Sequence, residues 1–127
     1  MRIALDTNRY VDFARGEPDV VKTMESVGEI IVPLIVLAEL RAGFVVGSQG
    51  ARNEGALRSF LLQPGVSLLA PDEQTSHHYA AVYRQLRLHG TPIPTNDIWI
   101  AALTIQHGLV LYARDAHFDH LPQIPRI

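Results

Sequence analysis

Four short apolar runs, Ile3–Leu5, Ile30–Val32, Val66–Leu69 and Leu109–Leu111, alternate along this chain with segments of helical spacing. Runs of this length suit buried strands rather than helices, and the β-branched Ile30-Ile31-Val32 agrees with that reading. Strands separated by helices do not pair as hairpins. They lie parallel, joined by crossovers that cover both faces of the sheet. The pattern therefore predicts an α/β fold with a central parallel sheet. In such folds a ligand site lies beyond the carboxyl ends of the strands.

The segments between the runs have their own signals. Asp6-Thr7-Asn8 follows the first run with residues that favour helix starts, and Pro18-Asp19 opens a helix to about Val27. A helix from Leu34 is expected to stop at Gly43. Gly47 to Gly50 reads as a turn before a helix to about Leu62, and Pro64-Gly65 turns the chain into the third run. Asp72 to His89 is the longest helical segment, with Tyr79, Val82, Tyr83 and Leu86 on one apolar face and Gly90 as its stop. Pro92 and Pro94 keep the next segment extended. Thr95 or Asn96 then caps a helix that carries Ile98, Ala101, Ala102 and Ile105 on one face and ends near Gly108.

Length and composition narrow the function classes. The 127 residues, 47% of them hydrophobic, suffice for one core, and with no linker visible residues 1–127 are expected to form one domain. No repeat or low-complexity tract points to a solenoid or a disordered tail. The absence of cysteine excludes disulfides and thiolate zinc sites and suits a reducing cytoplasm. The longest apolar stretch, Ile30–Ala38, falls well short of the roughly 20 residues a bilayer span needs, so neither a membrane span nor a signal peptide is expected. The net charge of −2 argues against a broadly basic nucleic-acid surface. It leaves room for a nuclease whose acids hold cations while a few arginines grip phosphate. Lys22 is the only lysine, so nearly all the positive charge is guanidinium, the group suited to forked phosphate contacts.

Four acids sit where such a fold would gather them. Asp6 follows the first strand, and Asp115 follows the last closely. Glu39 lies in the apolar Val36-Leu37-Ala38-Glu39-Leu40, and Asp97 falls in the first turn of its helix. Like charges about 4 Å apart repel by about 4 kcal/mol at an effective dielectric near 20, so such a cluster opposes folding unless a cation joins it. Oxygen ligands without cysteine favour Mg²⁺ or Mn²⁺, ions that acidify water and stabilise charge on a phosphodiester undergoing displacement.

Taken together, Leu5-Asp6-Thr7-Asn8, Val36-Leu37-Ala38-Glu39-Leu40-Arg41-Ala42-Gly43, Asn96-Asp97-Ile98-Trp99-Ile100-Ala101-Ala102 and Arg114-Asp115-Ala116-His117-Phe118 resemble the acidic motifs of PIN-domain proteins, particularly VapC toxins. They stand in that family's order and span nearly the whole chain. The resemblance implies a Rossmann-like sheet of about five parallel strands with helices on both faces, a homodimer, and Mg²⁺- or Mn²⁺-dependent cleavage of RNA. It implies that Asp6, Glu39, Asp97 and Asp115 are the metal ligands and catalytic acids, with Thr7 and Asn8 shaping the first loop. It also implies a VapB-like antitoxin partner whose C-terminal segment covers the site, and products with a 5′-phosphate and a 3′-hydroxyl. The chain departs from the family at Tyr112-Ala113, where relatives often carry a small polar residue before the Arg-Asp step. The fourth acid, Asp115 or its neighbour Asp119, binds metal directly or through water. Arg9 and Arg114 are close in sequence to proposed acids and are the first choices for phosphate contact, and Thr95 is a supporting residue near Asp97.

Each of these residues also has an ordinary use. Asp6 can cap a helix, and Asp97 can complement the positive end of one. Glu39 can pair with an arginine, although Arg41, two residues away on the same helix, does not face it. His117 and His120 could share a helical face and make a metal site with Asp115 or Asp119, but surface imidazoles are the ordinary reading of the six histidines. Trp99, Tyr79 and Tyr83 read as core or dimer contacts rather than base-stacking platforms. A haloacid-dehalogenase-like phosphatase would also place an Asp after the first strand, but it needs a second Asp where this chain has Asn8. A catalytically silent PIN-like module that only binds a partner is the other alternative, and loss of an acid would favour it. All four acids are present.

Overall fold

A computed structural model describes residues 1–127. The chain runs β1 (Arg2–Leu5), α1 (Thr7–Ala14), α2 (Pro18–Ser26), β2 (Glu29–Pro33), α3 (Leu34–Val46), α4 (Gly50–Leu61), β3 (Val66–Leu69), α5 (Glu73–His89), α6 (Thr95–Gln106) and β4 (Val110–Tyr112), followed by a 3₁₀ turn at Ala116–His120. All four strands are parallel, in the order β3-β2-β1-β4. Ile3 sits opposite Ile30 on one side and Val110 on the other, so β1 is an inner strand. Its Ile3, Ala4 and Leu5 are fully buried, and the Ile and Leu side chains contribute roughly 1.5–3 kcal/mol each by leaving water.

The strand order fixes where a site can form. From β1 the chain steps outward to β2 and β3, then returns to the opposite side of β1 as β4. Right-handed crossovers therefore place α1 to α4 on one face and α5 and α6 on the other. Contacts within α1·α2, α3·α4 and α5·α6 agree with two helical layers. The direction reverses between β1 and β4, which opens a crevice beyond their carboxyl ends. Both Asp6 and Asp115 follow strands that border this crevice. Contact between α3 and α6 brings a helix from each layer to meet.

The expected fifth strand is present only as a vestige. Leu111 forms a single parallel bridge with Arg126. Its N–H donates to the Pro125 carbonyl at 2.8 Å, and its carbonyl accepts from the Ile127 N–H at 3.1 Å. Ladder pairing thus continues past β4 for one residue.

Other boundaries differ for local reasons. Gly43 does not end α3, which runs to Val46 and is closed by Gly47. Gly43 has no positive φ, Gly47 ends α3 in an extended conformation, and Gly90 at φ 66° closes α5 with the left-handed backbone that glycine allows. Phe44 packs against the core and carries α3 onward. Helix α6 starts directly after Pro94, whose carbonyl accepts from the N–H groups of Asp97 and Ile98, and no Thr95 or Asn96 side chain caps it. Tyr83, expected on the apolar face of α5, is 48% exposed, while Val82 and Leu86 are buried. Tyr79 and Trp99 pack against each other with ring centroids 4.5 Å apart, joining α5 to α6.

Candidate functional site

Asp6 is the turning point between β1 and α1. Its backbone N–H donates to the Tyr112 carbonyl of β4 at 3.1 Å, and its own carbonyl accepts from the Tyr10 N–H as the first bond of α1. The side chain makes no capping bond, so the ordinary use of an Asp here is not the one observed. The residue is buried. Burial above all pushes its carboxyl up to about 6, with further upward pressure from the charges of Asp97, Glu39 and Asp115, against a downward pull from the Thr7 N–H. The three other acids are therefore close enough to act on it electrostatically.

Asp97 is buried in the first turn of α6, and burial likewise raises its carboxyl, opposed by a hydrogen bond from His117. Asp115 opens the 3₁₀ turn, where its Oδ1 accepts from the His117 N–H at 2.9 Å. The His117 ring then folds back over both acids, with Nδ1 2.8 Å from Asp97 Oδ2 and 3.0 Å from Asp115 Oδ1. The ligand atoms of Asp97, Asp115 and His117 all lie within 4.8 Å of one another. Asp6 and Glu39 flank this tight group. Glu39 on α3 is partly exposed and pairs with no arginine. Its Oε1 accepts from Thr7 Oγ1 at 2.7 Å, while Arg41 forks onto Glu54 instead.

The remaining expected residues divide. Thr7 is tied to Glu39, and Asn8 is half-buried beside it on the first turn of α1. Arg9 lies 4.8 Å above the Tyr112 ring and bonds Asp12, and Arg114 also turns to Asp12, at 3.0 Å. Thr95 is exposed at the start of α6 and makes no side-chain hydrogen bond to any of the four acids. Asp119 pairs with Arg126 rather than joining the cluster, which favours Asp115 as the fourth acid. Arg126 also donates from Nη2 to the carbonyls of Ala113 and Asp115, both at 3.0 Å, and so braces the segment that presents Asp115.

His117, weighed above as a ligand and set aside as a surface imidazole, joins the cluster with Asp115 and Asp97, whereas Asp119 does not. The tight turn that folds its ring back over both acids was not foreseen. Four carboxylates and one imidazole have the donor chemistry that a divalent cation such as Mg²⁺ or Mn²⁺ takes. The chain's own evidence of fit is geometric: ligand atoms of Asp97, Asp115 and His117 lie within 4.8 Å of one another, and the buried Asp6 is close enough to feel the charges of Glu39, Asp97 and Asp115. Asp6 and Asp97 are buried, while Glu39, Asp115 and His117 are partly exposed at the carboxyl ends of the strands.

Comparison with known proteins gives a consistent result. The family model described as PIN domain matches residues 3–124. Ribonuclease VapC1 of Haemophilus influenzae is 31% identical over 113 residues, covering 84% of this chain and 81% of its own. Toxin FitB of Neisseria gonorrhoeae is 31% identical over 122 residues, covering 89% and 87%. VapBC2 from Rickettsia felis, solved bound to a DNA fragment from its promoter, superposes with a TM-score of 0.90 at 24% identity, over 100% of this chain and 98% of that one.

Proposed function

The chain belongs to the PIN-domain family, and from that premise we propose that it is a metal-dependent endoribonuclease, the toxin of a VapBC-like toxin–antitoxin pair. One observation carries the reading. Four acids far apart in sequence gather at the point where the strand order reverses, and the most buried of them feels the charges of the other three. A relative that is a ribonuclease and another that is a toxin support the substrate class and the biological role.

Asp6, Glu39, Asp97 and Asp115 would hold Mg²⁺ or Mn²⁺. Such a cation, when bound, supplies Lewis-acid stabilisation of charge developing on a phosphodiester and acidifies water. Asp6 is the rigid member, fixed by β1 and by its backbone bond to Tyr112. Thr7 orients Glu39, and Asn8 shapes the loop beside it. His117 holds the Asp97 and Asp115 carboxylates together. Arg9 and Arg114 contact phosphate of the RNA strand, and Thr95 supports the rim at the start of α6. Acids partly exposed at the ends of the strands suit a polymer laid across them. Cleavage leaves a 5′-phosphate and a 3′-hydroxyl.

The partner we propose is a VapB-like antitoxin whose C-terminal segment enters the acidic rim with a basic side chain, a pairing favoured by charge. The chain works as a single PIN domain, assembles as a homodimer and acts in the cytoplasm. No helix is long and apolar enough to cross a membrane. The deciding experiment is RNA cleavage by the purified chain with Mg²⁺, Mn²⁺ or EDTA, beside Asp6→Asn and Asp97→Asn. Cleavage that needs no metal, or that survives in both variants, rules the reading out.

A further inference from the structure

Beside the acids lies a second cluster, built around Asp12. This residue is on α1, and its carboxylate is only 13% exposed. Arg114 forks onto it, with Nε 3.0 Å from Oδ2 and Nη2 3.4 Å from Oδ1, and Arg9 reaches the same Oδ2 from Nη1 at 3.4 Å. Arg9 is further fixed by the Tyr112 ring beneath its guanidinium, and its buried Nε has no partner. Two guanidinium groups on one carboxylate leave one net positive charge. Asp12 takes the Nε and Nη2 edge of Arg114 and leaves Nη1 free, on a side chain that is 49% exposed. Arg114 directly precedes Asp115, so this positive group borders the negative rim.

We propose that Asp12 is a positioning residue that holds Arg9 and Arg114 as a paired clamp for the RNA phosphate next to the one being cut. The inference rests on the nuclease reading given above. Without Asp12 the two arginines repel each other and are free to swing, Arg114 toward the adjacent acids, where it would neutralise the rim instead of gripping the strand. With Asp12 in place, the orientation is fixed before RNA arrives.

The test uses the sign of an effect. If Asp12 were only a negative charge near the substrate, Asp12→Asn would tighten RNA binding, because a repulsion is removed. Positioning requires the opposite. Cleavage of a single-stranded RNA is measured against RNA concentration for wild type, Asp12→Asn, Arg114→Gln and the double variant, together with melting temperature. Asp12→Asn is expected to raise the half-saturating RNA concentration roughly three- to tenfold, more than it lowers the saturating rate, and the double variant should be no worse than Arg114→Gln alone. Asp12→Glu should recover part of the loss. Unchanged or tighter binding in Asp12→Asn, or losses that add in the double variant, overturns the inference. Should Asp12→Asn melt early, Arg114→Gln still decides: unaltered RNA affinity there also overturns it. Wild type that cleaves no RNA with either metal defeats the nuclease reading and this inference together, whereas wild-type cleavage with tighter binding by Asp12→Asn defeats this inference alone.

Discussion

Thr7 Oγ1 donates a 2.7 Å hydrogen bond to Glu39 Oε1, joining residues 32 apart in sequence. The bond links the first turn of α1 to the middle of α3 and fixes a partly exposed acid. Thr7→Val keeps the shape and removes the donor, and it is expected to weaken Mn²⁺ binding several-fold in calorimetric titration. Thr7→Ser should retain near-wild-type affinity. Equal affinity in Thr7→Val and wild type would mean that Glu39 needs no such anchor.

Asp6 separates stability from activity. Its ionised form is buried beside three other acids, so the neutral isostere in Asp6→Asn relieves a cost on the order of 1–3 kcal/mol in the metal-free protein. A melting temperature higher by several degrees in EDTA is expected, together with loss of RNA cleavage. A lower melting temperature would show that the Asp6 carboxylate stabilises the empty fold.

The same group sets a pH window. The folded carboxyl of Asp6 is raised from 3.8 to about 6, so the folded state binds a proton more tightly than the unfolded chain does. Its cost to stability is present in full above about pH 6 and fades as pH falls toward 4. Asp97 shifts in the same direction, through burial. Metal-free protein should therefore gain melting temperature between pH 7.5 and 5. Saturating Mn²⁺ should reverse the trend, because the cation competes with the proton and is released on acidification. A metal-free melting temperature that falls steadily over this range would count against the clustering.

His117 brings a nitrogen atom to an otherwise oxygen-rich set. Imidazole binds first-row transition ions in preference to Mg²⁺, so His117→Ala should weaken Mn²⁺ binding more than Mg²⁺ binding. The ratio of the two affinities, measured by competition, is the readout. Equal losses for both ions would make His117 a spacer between Asp97 and Asp115 and nothing more.

Much of the architecture could be read from local signals, since strands such as Ile3–Leu5 and Ile30–Val32 are short, apolar and bounded by helix starts. Gly90 acted as its type suggests because the chain there needs a left-handed turn. Gly43 did not, because Phe44 had a core to reach, and that is a tertiary fact. The gathering of Asp6, Glu39, Asp97 and Asp115 follows from motif order plus the rule that sites sit at strand carboxyl ends. His117 and Asp12 were not legible in the same way. One depends on a 3₁₀ turn that no periodicity announces, and the other on an ion pair with Arg114 across 102 residues.

Arg126 ties its segment to the backbone of Ala113 and Asp115 while its own strand position extends the sheet edge at Leu111. This edge, held by a single bridge, is thus also a brace of the acidic rim. Loss of that single bridge would slacken the loop that presents Asp115 while the inner strands are still intact, so the proposed cation site would come apart before the fold does.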